Sequence, residues 1–203
     1  PMVSQSSATA RRFCDDSWRG WATFDPRTGM RQLRGKPLTD FLKRSSRPDR
    51  ELVFVLQDVE DPVNVGSAFR IADACGVRQL VLTGISARPP HPLIKKVGRG
   101  RDRRVQWRYV ERATDALDEY RSDGYGICAL EITAESVPFG RAEFPPRTCL
   151  VVGHEDHGVT NRTLAACDMA VFIPMYGKGP SMNVHVAAAL VAYQAVIGCS
   201  RGR

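Results

Sequence analysis

No apolar run in this 203-residue chain approaches the roughly 18 residues that a bilayer-crossing helix needs, so no membrane span is expected. The Ser-rich stretch 1–10 lacks an apolar core followed by a small-residue cleavage site, so export is not expected either. No two of the cysteines (Cys14, Cys75, Cys128, Cys149, Cys167 and Cys199) form a C-x-x-C pair, and most sit among apolar neighbours. Buried, reduced thiols and a cytoplasmic location follow as expectations. Several catalytic signatures are missing too. Asp61-Pro62-Val63-Asn64-Val65-Gly66 stands where a Rossmann site would carry G-x-G-x-x-G. The chain has no G-x-S-x-G elbow, which argues against an α/β-hydrolase. Gly177-Lys178-Gly179 lacks the remainder of a phosphate loop. His154-Glu155-Asp156-His157 is one residue short of the zinc-binding H-E-x-x-H, and Gly153 and Gly158 disfavour the helix that motif requires, so no metal is expected.

What is present describes an ordinary globular chain: 43% hydrophobic, 25% charged, enough apolar material for a core. The net charge is +7, with arginine far outnumbering lysine. Guanidinium groups suit phosphates and stack on bases, so a basic surface is compatible with nucleic acid, although a GC-rich genome gives the same bias. Residues 1–48 read as an N-terminal extension ahead of a main domain, 49–203. The extension carries Trp18, Trp21 and Phe24 among Arg11, Arg12, Arg19, Arg27, Arg31 and Arg34. Such a mixture either stacks on RNA or packs its aromatics on the main domain. Thr39 is placed to cap a short helix, and Arg47-Pro48-Asp49 reads as the linker.

From residue 51 onward, short apolar runs alternate with helical stretches. Strands are predicted at 52–56, 79–82, 105–110, 125–130, 148–152 and 169–173, and helices at 64–75, 112–121 and 183–197. Strands made of continuous Val, Leu and Ile between helices imply an α/β fold, a mostly parallel sheet with helices on both faces. Ligands in such folds sit beyond the carboxyl ends of the strands, where three polar loops follow one another in the last third of this chain. The last helix is apolar on most sides and must be buried, a subunit interface being one way to bury it.

The polar residues that stand out are Asn64, Arg70, Glu155, Ser181 and Asn183. Asn64 and Arg70 are six apart, which puts them on broadly the same side of one helix. Asn64 either caps that helix or faces a ligand. Arg70 interrupts the apolar stretch Ala68-Phe69-Arg70-Ile71-Ala72 and needs a carboxylate or an external phosphate. Capping accounts for one of Ser181 and Asn183 but not readily for both.

Taken in order, Asn64-x5-Arg70, Val151-Val152-Gly153-His154-Glu155, Ile173-Pro174-Met175 and Ser181-Met182-Asn183-Val184 resemble the three successive motifs of the SpoU/TrmH-type methyltransferases of the SPOUT superfamily. The resemblance spans residues 51–198. In the second motif His154 stands where the family usually has a small residue, and Asp156-His157-Gly158 replaces Gly-x-Gly. The resemblance implies an S-adenosylmethionine-dependent 2′-O-ribose methyltransferase acting on structured RNA, tRNA or rRNA. It also implies a C-terminal trefoil knot and a homodimer whose subunits share active sites. The cofactor would be cupped by main-chain groups around Val152, Gly153, His154, Ile173, Met175, Ser181, Met182 and Asn183, with Ile173 and Met182 flanking the adenine. Arg70 would lie beside the ribose hydroxyl. A guanidinium with a pKa above about 12 is a poor base, so anchoring a phosphate and stabilising the developing alkoxide suit it better. Glu155, Asn64 and Asn183 would orient Arg70 and the ribose, and Ser181 with Asn183 would fix the last loop. Two other readings stand beside this one: a base methyltransferase of the same superfamily, and a non-catalytic RNA-binding module.

Overall fold

Leu52, Phe54 and Leu56 alternate along the chain with Val53 and Val55, and all five are buried. A strand with two apolar faces is stable only in a sheet covered on both sides. The structure, a computed structural model, describes residues 32–43 and 49–197. In it Glu51–Gln57 is strand β1, near the middle of a seven-stranded sheet formed by the described residues. The other strands are β2 (Gln79–Thr83), β3 (Trp107–Val110), β4 (Gly126–Leu130), β5 (Val137–Pro138), β6 (Arg147–Val152) and β7 (Met169–Phe172). Their order is β3-β2-β1-β6-β4-β7-β5, and every pairing is parallel.

Six helices accompany them in the described residues: α1 (Gly35–Leu42), α2 (Pro62–Cys75), α3 (Pro92–Gly98), α4 (Ala113–Ser122), α5 (Asn161–Leu164) and α6 (Val184–Ile197). Residues 49–197 belong to one compact unit and α1 to a separate one. The strand alternation divides the core in two. Leu52, Phe54, Leu56, Leu80 and Leu150 pack with α2 and α6 on one face. Val53, Val55, Val81, Cys149 and Val151 pack with α4 on the other. Helices on both faces of a parallel sheet are what the apolar runs call for. Four cysteines are free thiols: Cys75, Cys128 and Cys149 are buried and Cys167 is half-buried. Cys14 and Cys199, like Trp18, Trp21 and Phe24, lie outside the described residues. Among the described residues no helix is long and apolar enough to cross a membrane.

Several local expectations change. Thr39 is not a cap: it sits inside α1 and its hydroxyl donates back to the Gly35 carbonyl at 3.3 Å. Helix α2 starts two residues before Asn64, because Asp61 is its cap and accepts from the Val63 N–H at 2.8 Å. Pro62 then occupies the first turn, where its missing N–H costs nothing. Strand β3 begins at Trp107, since the Arg104 N–H closes a 3₁₀ turn, Arg101–Arg103, on the Arg101 carbonyl and the Val105 N–H bonds the same oxygen. β1, β4, β6 and β7 end in step: Leu56 and Leu130 both register with Val152, and Leu130 also with Val171. The loops that follow them therefore meet at one rim.

Candidate active site

At that rim β6 runs into Gly153, and the chain folds straight back on itself. The His154 N–H donates to the Gly158 carbonyl at 3.1 Å and the Gly158 N–H returns to the His154 carbonyl at 2.9 Å. A Cβ on Gly153 would overlap the Gly158 carbonyl. Gly158 adopts φ 64°, and a side chain there would collide with the Glu131 carboxylate. So 153–158 is a tight turn and not a helix. Within it the His154 and His157 rings stack with centroids 4.7 Å apart, and His154 Nδ1 accepts from the Asp156 N–H at 3.0 Å.

The turn aims Glu155 at the start of α2. Its carboxylate accepts from the Glu60 N–H (3.4 Å), the Asp61 N–H (3.3 Å) and Asn64 Nδ2 (2.6 Å). A carboxylate is favoured at this position, since the amino end of a helix is electropositive. Asn64 is buried, and its remaining oxygen faces His185 Nδ1 at 2.8 Å. Glu155 can only accept, so the Asn64 amide nitrogen points to it and the oxygen to the imidazole. His185 Nδ1 therefore carries the proton, and Nε2 is the nitrogen left to titrate. Burial holds the His185 pKa below the ordinary histidine value, against the pull of Asp61. Asn183 acts locally, its Oδ1 accepting from the His185 N–H at 3.0 Å at the head of α6. Asn64 thus lies between the second and third polar segments and is not a helix cap.

Beside this network lie two adjoining cavities, about 310 Å³ and about 130 Å³, which share Leu130, Glu131, Ser181, Met182 and Ala187. Gly153, His154 and Glu155 line the larger one, and Ile173 and Met175 the smaller. The structure thus brings together seven of the residues singled out in the sequence. Val152 is buried behind them as the last residue of β6, and Asn183 is outside both cavities.

Glu131 is a site residue that the sequence pattern did not single out. Its Oε2 accepts from the Val159 N–H and its Oε1 from the Ile132 N–H, each at 2.8 Å, so a fixed carboxylate lines both cavities. A carboxylate directly after a parallel strand was the available signal. His185 was not singled out either, although an imidazole in the first turn of the apolar run Val184–Ile197 was visible.

Arg70 stands apart. It is exposed, and among the described residues no carboxylate pairs with it. The same-side expectation is corrected here: at about 100° per residue, six positions leave Arg70 about 120° around α2 from Asn64. Asn64 faces the core and the Glu155 turn; Arg70 faces solvent, available to a group from outside this chain.

Residues 51–193 match the SpoU rRNA Methylase family. The chain is 31% identical over 152 residues to the tRNA (guanosine(18)-2'-O)-methyltransferase of Escherichia coli (strain K12), covering 74% of this chain and 65% of that one. It is 32% identical over 154 residues to the 23S rRNA (guanosine-2'-O-)-methyltransferase RlmB of Neisseria meningitidis serogroup B, covering 76% and 60%. The chain spans less than two thirds of the length of either relative. The structure resembles that of the SpoU methyltransferase AviRb from Streptomyces viridochromogenes in complex with the cofactor AdoMet, with a TM-score of 0.65 at 27% identity over 74% of this chain and 61% of that one.

Proposed function

The chain belongs to the SpoU rRNA Methylase family, and on that premise we propose that it is an S-adenosylmethionine-dependent 2′-O-ribose methyltransferase acting on structured RNA, tRNA or rRNA. The observation that carries this reading is the cleft itself, walled by three consecutive loops and pinned to α2 through Glu155 and Asn64. Its residues fit such a donor. Leu130, Ile173 and Met182 offer apolar walls to a flat ring, and the carboxylates of Glu131 and Glu155 suit a cation. Gly153 and Gly158 line the larger cavity without side chains, so main-chain groups form that part of its wall.

When bound, S-adenosylmethionine supplies an electrophilic methyl group on a positively charged sulfur. Arg70 holds the phosphate beside the reacting ribose and offsets the negative charge that grows on the 2′ oxygen as its proton passes to water. Glu155 already accepts from three donors, so it fixes the 153–158 turn against α2 and does not reach for the ribose. Asn183 and Ser181 set the loop ahead of α6.

A second copy completes the site. Arg70 points away from Glu155 of its own chain, and α6 leaves Val186, Leu190, Tyr193 and Ile197 exposed as one apolar stripe at helical spacing. A homodimer that covers this stripe and lets Arg70 serve the neighbouring cleft accounts for both. A C-terminal trefoil knot is part of the same proposal, supported by α6 returning from β7, near one edge, to pack on α2 and β1 near the middle. Residues 1–48 are then an extension ahead of the methyltransferase domain, 49–203. The buried free thiols support a cytoplasmic location.

Incubation with labelled cofactor and separated tRNA and rRNA fractions, followed by mass spectrometry of the nucleosides, tests the reaction. A 2′-O-methylated nucleoside is expected, and a base-methylated product would overturn the proposal. Arg70→Ala should abolish transfer while leaving cofactor affinity, measured by calorimetry, within a few-fold. Equal loss of both would remove Arg70 from the chemistry.

A further inference from the structure

Away from the cleft, the end of α3 and the 3₁₀ turn Arg101–Arg103 border an open groove of about 710 Å³. Its charged lining is Lys95, Lys96, Arg99, Arg103 and Arg104. We propose that this groove is a second RNA-binding site that grips backbone phosphates away from the nucleotide being modified. The proposal rests on reading the substrate as RNA and adds where that RNA is held.

Residues 95–104 contain six cations against the single Asp102, a local excess of five on a chain whose net charge is +7. Within residues 49–197, no other ten-residue stretch is as basic. Elsewhere among the described residues several arginines are held by carboxylates: Arg78 by Glu51, Arg112 by Asp115 and Arg121 by Asp168. Among the described residues, the five cations of the groove are exposed and none pairs with a carboxylate. Asp102 forms no ion pair with them, and its Oδ1 is buried away from the groove's solvent side.

The backbone keeps the groove open. Arg99 takes φ 51° and Gly100 φ 73°, so two left-handed residues in a row end α3 and turn the chain into the 3₁₀ segment. At Arg99, glycine would adopt that conformation without steric cost. The groove is also anchored to the helix that bears Arg70. Gly66 and Gly98 let α2 and α3 touch, a Cβ on Gly98 lying 3.3 Å from the Gly66 carbonyl oxygen. Arg101 bonds Asp73 of α2 at 2.7 Å. Around the axis of α2, Arg70 is about 40° from Gly66 and about 60° from Asp73. The groove and the free guanidinium thus share one flank, and a polyanion bound in the first is led toward the second. The lining offers donors of positive charge, no aromatic ring for a base to stack on and no side-chain acceptor to read a base edge. That chemistry fits phosphates, independent of sequence.

The test compares Lys96→Gln/Arg99→Gly/Arg103→Gln with the matched control Arg88→Gln/Arg141→Gln/Arg162→Gln, both in the full chain, on a blunt RNA duplex and on bulk tRNA. The groove variant should bind both RNAs about ten- to a hundredfold more weakly, and the slope of log affinity against log salt should fall by about 2 to 3. The control should stay near wild type. Cofactor affinity and the thermal midpoint should be unchanged in the groove variant, since Arg99→Gly relieves an unfavourable conformation. Equal loss in groove variant and control, or no loss in the groove variant, overturns the proposal. Wild-type binding to polyglutamate as tight and as salt-steep as to the duplex would also overturn it, in favour of an acidic protein partner. Methyl transfer by the wild type is scored separately. Without it, a groove variant that still loses RNA keeps the groove and sinks the enzyme.

Discussion

Asn64 joins two loops that are far apart in sequence, with one amide serving Glu155 and His185 at once. Asn64→Ala would remove the acceptor for the buried side of the imidazole and one of three donors to the carboxylate. We expect a loss of about 1–3 kcal/mol in chemical denaturation, the usual cost of stranding such groups. His185 itself should show in the pH dependence. Its folded-state pKa is lowered by burial, so the unfolded chain takes up the proton more readily than the folded one. The associated stability is present in full above about pH 6.5, the unfolded value, and is lost as pH falls through the folded one. Wild type should therefore lose more stability than His185→Gln between neutral and mildly acidic pH, and parallel curves would exclude His185 as the titrating group. At this scale the sequence was informative about residues that turn geometry exposes: Gly153, Glu155, Ser181 and Met182 stand where polar loops break apolar strands. It was silent on Glu131 and His185, because a single polar residue in an apolar run gives no sign of which neighbours will face it. For Arg70 and Asn64, spacing alone is too loose a guide, and the turn of the helix sends them to different sides.

Helix α2 uses its faces differently. Its buried side, with Val65, Ala68, Phe69 and Ala72, packs on the sheet; its start receives Glu155; its solvent side presents Arg70. Asp61→Ala should therefore affect more than helix stability. Loss of the cap costs about 0.5–2 kcal/mol. The main-chain N–H groups that hold Glu155 lie at the same residues, so cofactor affinity in calorimetry should fall alongside the denaturation midpoint. A variant equally destabilised at a distant site, with affinity intact, provides the contrast. α2 and α4 were legible because ten or more residues carry a repeating apolar pattern, and α6 because its apolar run is too long for a strand. α3 has seven residues with Ile94 and Gly98 buried, α5 has four and β5 has two, too few for periodicity to register. Their positions come from tertiary packing, such as the contact between Gly66 and Gly98.

For the whole molecule, the proposed dimer rests on the apolar stripe on α6. Leu190→Arg puts a charge in the middle of Val186, Tyr193 and Ile197 without touching the cleft lining. Sedimentation should show a dimeric wild type and a monomeric variant, and methyl transfer should fall with the dimer if Arg70 works across it. A dimer that survives the substitution with full activity would place the interface elsewhere. The parallel architecture was readable from the uniform Val, Leu and Ile runs, whereas the strand order was not, since nothing local records which strands become neighbours. That order has a consequence for how the molecule is made. β1 pairs with β2 on one side, but on the other its neighbour is β6, with Glu51 set against Arg147. A ribosome must deliver most of the chain before the sheet's interior can close, so the nascent protein carries an uncovered apolar edge through much of its synthesis and depends on slow, long-range closure to mature.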